Sequence, residues 1–108
     1  MITAKEIKGF WAKSKGLINN PKPNNIFLKT RWGIHTFGLR FPIDVVILDN
    51  SNKVVALKEN LKPNNIFIWN PRYKNVLELK SQTIKINNIK INSKLYLKIT
   101  TLPTFPST

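Results

Sequence analysis

The sequence predicts an α+β domain that is mainly β: a compact, antiparallel, partly barrel-like sheet with one N-terminal helix. Three observations lead there. Residues 43–48, Ile-Asp-Val-Val-Ile-Leu, are apolar on both alternating faces apart from Asp44, the pattern of a strand covered on both sides. Further runs of Ile, Val, Leu and aromatic residues recur at 26–28, 54–57, 66–69, 75–79 and 95–99, separated by clusters of Asn, Pro and Ser. Helical spacing occurs at the start, where Ile7, Phe10, Trp11 and Leu17 follow Thr3-Ala-Lys-Glu6, a capping-box sequence.

With 108 residues the chain makes one domain with one modest core. That domain is expected over residues 1–99. Residues 100–108, with two prolines and no periodicity, read as a flexible tail. The absence of cysteine removes disulfides, thiolate nucleophiles and the usual structural zinc sites, and a single histidine argues against a protein-only metal centre. Neither a metal nor a cofactor is expected. Charges run through the first residues and no stretch approaches the roughly 18 apolar residues of a membrane span, so the expectation is a soluble cytoplasmic protein without membrane attachment.

The charge balance is 18 Lys+Arg against 5 Asp+Glu, a formal net charge of +13. In a small domain this suggests nucleic acid or another polyanion as partner. Two features temper the signal. The excess is mostly lysine accompanied by abundant Asn and Ile, as compositional bias would also produce, and the lysines are spread along the chain.

Taken in order, residues 4–15 read as a short amphipathic helix with Gly16 as its stop, Phe10 and Trp11 forming its core face. Residues 19–25 are a loop of Asn, Pro and Lys, ahead of a strand from Ile26. The six residues Lys-Pro-Asn-Asn-Ile-Phe occur at 22–27 and again at 62–67, each time ahead of a basic-aromatic pair, Arg31-Trp32 and Arg72-Tyr73. Shared loop-into-strand chemistry in an Asn-rich chain is the favoured account of the repeat, with an internal duplication as the lesser alternative. Extended backbone from 35 to 41 would place His35, Phe37, Leu39 and Phe41 on one face and Thr36, Gly38 and Arg40 on the other, with Pro42 ending the run.

Asp44 in the following strand requires a partner, since an unpaired buried carboxylate costs several kcal/mol. Residues 49–53 form a turn, and 54–57 return as the second arm of a hairpin that should lie at the centre of the sheet. Short strands follow at 66–69, stopped by Asn70-Pro71, and at 75–79. Residues 83–91 have strand alternation, and 95–99 supply the last strand.

Several blocks together resemble a known family. They are His35-Thr-Phe-Gly-Leu-Arg-Phe-Pro-Ile-Asp-Val-Val-Ile-Leu-Asp49, Lys53-Val-Val, Leu61-Lys-Pro63, Val76-Leu-Glu-Leu79 and Asn88-Ile-Lys-Ile-Asn-Ser-Lys-Leu95. In order and spacing they are similar to the uncharacterised family called domain of unknown function 192, and Lys15-Gly-Leu17 resembles its opening segment. The resemblance covers residues from about 5 to 97. It implies a small β-rich domain with a short helix or two, and a helical turn near 83–87. No activity or cofactor comes with it. This chain departs from the family pattern where glycines are usual, having Asn88 and Asn92 instead, and where an acidic residue is usual, having Ser93. Asparagine is the next most tolerated residue at positive φ, so the turns can survive.

Polar residues inside the matched blocks define the candidate ligand site: His35, Thr36, Arg40, Asp44 and Glu78. A histidine beside a carboxylate can form an acid–base pair. No nucleophile elbow, phosphate loop or metal-ligand spacing accompanies it. The structural alternative is that Asp44 caps a loop or pairs with Arg40 while His35 is a satisfied core residue. A second candidate surface is Arg31, Trp32, Trp69, Arg72 and Tyr73, in which cations and rings alternate as single-stranded nucleic acid requires. The sequence therefore favours a non-enzymatic module for an unknown small ligand. A nucleic-acid-associated protein is the alternative, with an uncharacterised hydrolase behind both.

Overall fold

A computed structural model of the chain describes residues 1–6 and 25–101. Its elements are β1 (Ile2–Glu6), β2 (Ile26–Lys29), β3 (Gly33–His35), β4 (Ile43–Leu48), β5 (Val54–Leu61), β6 (Ile66–Ile68), β7 (Asn75–Lys80), a one-turn helix α1 (Thr83–Ile86) and β8 (Leu97–Thr101). Six strands form one sheet in the order β5-β4-β7-β2-β1-β8, and β3 with β6 forms a second sheet. The mainly β expectation holds. The sheet is mixed and open, however, where an antiparallel and partly barrel-like one was expected: β1 runs parallel to both β2 and β8.

Every residue of β4 is buried, as its two apolar faces require. One face, with Ile43, Val45 and Ile47, packs with Ile26, Leu28 and Val76 under Ile34 of β3. The other, with Val46 and Leu48, packs with Leu77, Leu79, Ile84 and Ile89. The large sheet is thus covered by the β3–β6 ribbon on one side and by α1 with the chain after it on the other.

Asp44 sits on the α1 side, fully buried. One carboxylate oxygen, Oδ1, accepts the N–H of Asn60 (2.8 Å) and the other, Oδ2, accepts the N–H of Ile84 (2.8 Å). The first bond depends on a register shift. Ile43 pairs with Leu61 but Val45 pairs with Lys58, so Glu59 and Asn60 together stand opposite Asp44. Such a bulge frees an amide from the ladder, and Asn60 adopts the φ of 52° needed there. The second bond caps α1, whose own N-cap residue Gln82 supplies no side-chain bond.

Four expectations need correction. Thr3-Ala-Lys-Glu6 lies in β1, paired along its length with β8, so it does not cap a helix; the rest of the expected helix lies outside the described residues. Residues 36–42 are turns rather than strand, because Thr36 O accepts both Leu39 N–H (3.1 Å) and Asn64 N–H (3.2 Å) and Gly38 has a φ of 87°. The β4–β5 hairpin lies at one side of the sheet with β5 as its edge, and β7 and β2 occupy the centre. Residues 83–86 are helical, as the family resemblance implied and the alternation did not. The turn asparagines behave as anticipated, with φ of 53° at Asn88 and 74° at Asn92. Pairing of β8 extends through Thr101, and the remainder of the expected tail lies outside the described residues.

Replacing Asp44 by Ala strands two buried amides and opens a void. Urea denaturation of Asp44→Ala is expected to show a loss of about 3–5 kcal/mol, and Asp44→Asn, which keeps one acceptor, roughly half of that.

Candidate functional site

The structure distributes the first candidate set over two sides of the large sheet. Asp44 pairs in register with Leu79, and Val45 with Glu78. Paired residues share a face and neighbours alternate, so Asp44 and Glu78 project in opposite directions. Glu78 is buried at 5 % exposure on the side covered by β3 and β6, while both oxygens of Asp44 are held on the other side. His35 is exposed at the end of β3, its ring stacked on Phe37 at 4.9 Å between centroids. The six-stranded sheet therefore separates the imidazole from the Asp44 carboxylate. Arg40 is exposed in the segment after β3.

Thr36 is fully buried and acts as a clasp. Its hydroxyl donates to Lys62 O (2.7 Å) and accepts from Asn65 N–H (2.9 Å), while its own N–H donates to Asn65 O (2.9 Å). These bonds hold the second Lys-Pro-Asn-Asn loop against the end of β3. They consume the polar groups a ligand would otherwise use. Among the described residues, no group of three or more His, Cys, Asp or Glu is placed to hold a metal ion.

The second candidate set does converge. Because β7 runs antiparallel between β4 and β2, Leu48 and Lys29 both pair with Asn75, which brings the ends of β4 and β2 to the start of β7. Nη1 of Arg31 donates to Pro71 O (2.8 Å) and lies 3.4 Å from Arg72 O, across 40 residues of sequence. Trp69 N–H donates to Trp32 O (3.0 Å), and the Trp69 indole N–H donates to Tyr73 O (2.8 Å). Between these segments lies a cleft of about 360 Å³, lined by Arg31, Arg72, Tyr73 and Lys74 on one part and by Asp49 and Asn50 on the other. Arg31, from the pair after the first copy of the repeat, and Arg72 with Tyr73, from the pair after the second, thus line one concavity, and Trp32 lies outside that lining. Asp49 and Asn50 were expected in a turn but not in either candidate site, and the β4–β5 turn geometry brings them there.

The cleft holds three cations and one carboxylate. That carboxylate is engaged within its own turn, where Asp49 Oδ1 accepts the N–H groups of Ser51 (2.8 Å) and Lys53 (2.9 Å). The amide of Lys53 is the main reason its pKa lies below the ordinary 3.8, with Ser51 and the charges of Lys53 and Lys94 acting in the same direction against some desolvation. A carboxylate whose pKa is depressed on folding adds stability above its unfolded pKa and loses it as pH falls through the folded one. Urea midpoints of the native chain should therefore fall as pH drops below about 4, and Asp49→Asn should flatten that slope. An unchanged slope in the variant would remove Asp49 as its source.

Two solved structures share the fold. A protein of unknown function from Novosphingobium aromaticivorans superposes with a TM-score of 0.69 at 16% identity, covering 85% of this chain and 70% of that one. A protein from Sinorhizobium meliloti described as a "putative transcription regulator" gives 0.67 at 17% identity, covering 85% of this chain and 76% of that one. At such identities the likeness establishes the architecture alone. A search of curated proteins finds no match. The family model for domain of unknown function 192, described as an uncharacterized ACR, matches residues 6–97, which holds β2 to β7 and α1 whole and one residue each of β1 and β8, and the chain belongs to that family.

Proposed function

We propose that the domain is a non-enzymatic binding module for an anionic ligand, with the cleft between Arg31 and Lys74 as its site. The observation that carries this reading is the meeting of Arg31, Arg72 and Lys74 around one concavity. The guanidinium of Arg31 is oriented by the Pro71 carbonyl, which leaves its Nε and Nη2 protons uncommitted among the described residues. Arginine in this state suits phosphate or carboxylate, because its planar fork can donate two parallel hydrogen bonds. The overall net charge of +13 adds attraction at long range. Catalysis has less support, since its candidate pair, His35 and Asp44, lies across the sheet and each oxygen of the carboxylate already accepts a backbone amide.

Ligand-dependent melting with inorganic pyrophosphate at low salt tests the site. At ten times Kd, mass action adds about 1.4 kcal/mol, which for a domain of this size raises Tm by roughly 5–10 °C. The expected result is that rise in the native chain and its loss in the Arg72→Ala, Lys74→Ala double variant. An equal rise in both would be general salt stabilisation and would overturn the reading.

A further inference from the structure

The outer face of the β3–β6 ribbon is open and apolar, and exposed aromatic residues flank β3 along the chain. The register pairs Gly33 with Ile68 and His35 with Ile66, while Ile34 and Phe67 between them turn toward the core. Ile66 is 63% exposed, Ile68 72%, Phe37 48% and Trp32 69%. Exposed apolar residues in such a group mark a contact surface more often than single ones do. Gly33 permits the close approach of β6. A Cβ there would meet Phe67 O at 2.8 Å and Ile68 Cγ2 at 2.9 Å.

Trp32 supplies a second, independent observation. Its φ is 79°, and Gly33 N–H donates back to Arg31 O (3.0 Å), closing a three-residue turn about it. A bulky side chain in this left-handed conformation is strained by about 1–3 kcal/mol, and such strain concentrates at functional positions. Packing of the indole does not offset it, because the ring is displayed to solvent. The backbone is instead held by the bond from Trp69 N–H to Trp32 O. The strained turn joins Arg31, in the cationic cleft, directly to the exposed ring.

We propose that this composite surface binds single-stranded nucleic acid, with backbone phosphates in the cleft and bases stacked on Trp32 and on the His35–Phe37 ring pair. The inference rests on the anion-binding reading of the cleft and names its ligand class. Charge complementarity selects the occupant: a cleft of three cations, whose Arg31 adjoins the exposed Trp32 in the chain, together with the His35–Phe37 stack offers both contacts that a single strand makes, phosphate neutralisation and sequence-tolerant stacking. A duplex hides its bases and could use only the cations.

Fluorescence anisotropy with a labelled oligothymidylate, the corresponding duplex and a salt series tests it on the full chain. Trp32→Asn is the diagnostic variant, since asparagine tolerates the turn's positive φ and the replaced ring is exposed. It is expected to weaken single-strand binding roughly five- to hundredfold, the size of one base–ring stack, with the pyrophosphate melting shift intact. The Arg72→Ala, Lys74→Ala variant should instead reduce the salt slope. Equal affinity for duplex and single strand, or unchanged binding by both Trp32→Asn and Phe37→Ala, would overturn the inference. A retained pyrophosphate shift without oligonucleotide binding would sink it while leaving the cleft's anion reading in place. Loss of the pyrophosphate response in the native chain would remove both.

Discussion

The architecture depends on one buried carboxylate. Asp44 is the second residue of a strand with no exposed residue, where an unpaired charge would cost more than most single contacts return. Two backbone amides meet it, one from the bulge in β5 and one at the start of α1. Neither amide has a ladder or helix partner of its own, so carboxylate and amides satisfy each other's requirements. The consequence is topological. The same side chain fixes where β5 shifts register and where the chain after β7 turns over the sheet, so two connections 24 residues apart are referenced to one point. Hydrogen bonds to a charged acceptor are roughly twice as strong as neutral ones, which suits a group that has to position two loops.

Thr36 performs a similar office on the opposite side of the sheet. Its hydroxyl and backbone fasten the 62–65 loop beside β3, and that loop leads directly into β6. The two-stranded ribbon is therefore tied at its loop end as well as by its own ladder. A ribbon of two short strands is marginal by itself in water. Here the core contacts of Ile34 and Phe67 and the Thr36 clasp supply what the ladder alone could not.

Much of this was legible in the letters. Residues 43–48 announce a doubly covered strand, and an aspartate among them demands amides or a cation. Asparagines in place of glycine announce positive φ without loss of the turn. What failed to be legible was non-local. Thr3 to Glu6 fits a capping box and a strand equally well, and only the parallel neighbours β2 and β8 decide between them. Local pattern likewise placed Asp44 and Glu78 in one candidate site, whereas the pairing of Val45 with Glu78 shows that they leave opposite faces. Strand parity is invisible until register is known.

The same point explains why the cleft was half foreseen. Repeated basic-aromatic pairs could be read from the sequence, but their meeting requires β7 to lie between β2 and β4 and to return the 70–74 loop to residue 31. Asp49 and Asn50 then arrive from the β4–β5 turn at the same end of the sheet. The fold gathers three connections there and places the strained Trp32 turn at their rim. Core packing does not require that turn, for its side chain contributes little burial, and a glycine or asparagine would hold the φ with less strain. A strained backbone holding an exposed ring next to clustered cations is better accounted for by what the surface must meet than by what the interior must exclude.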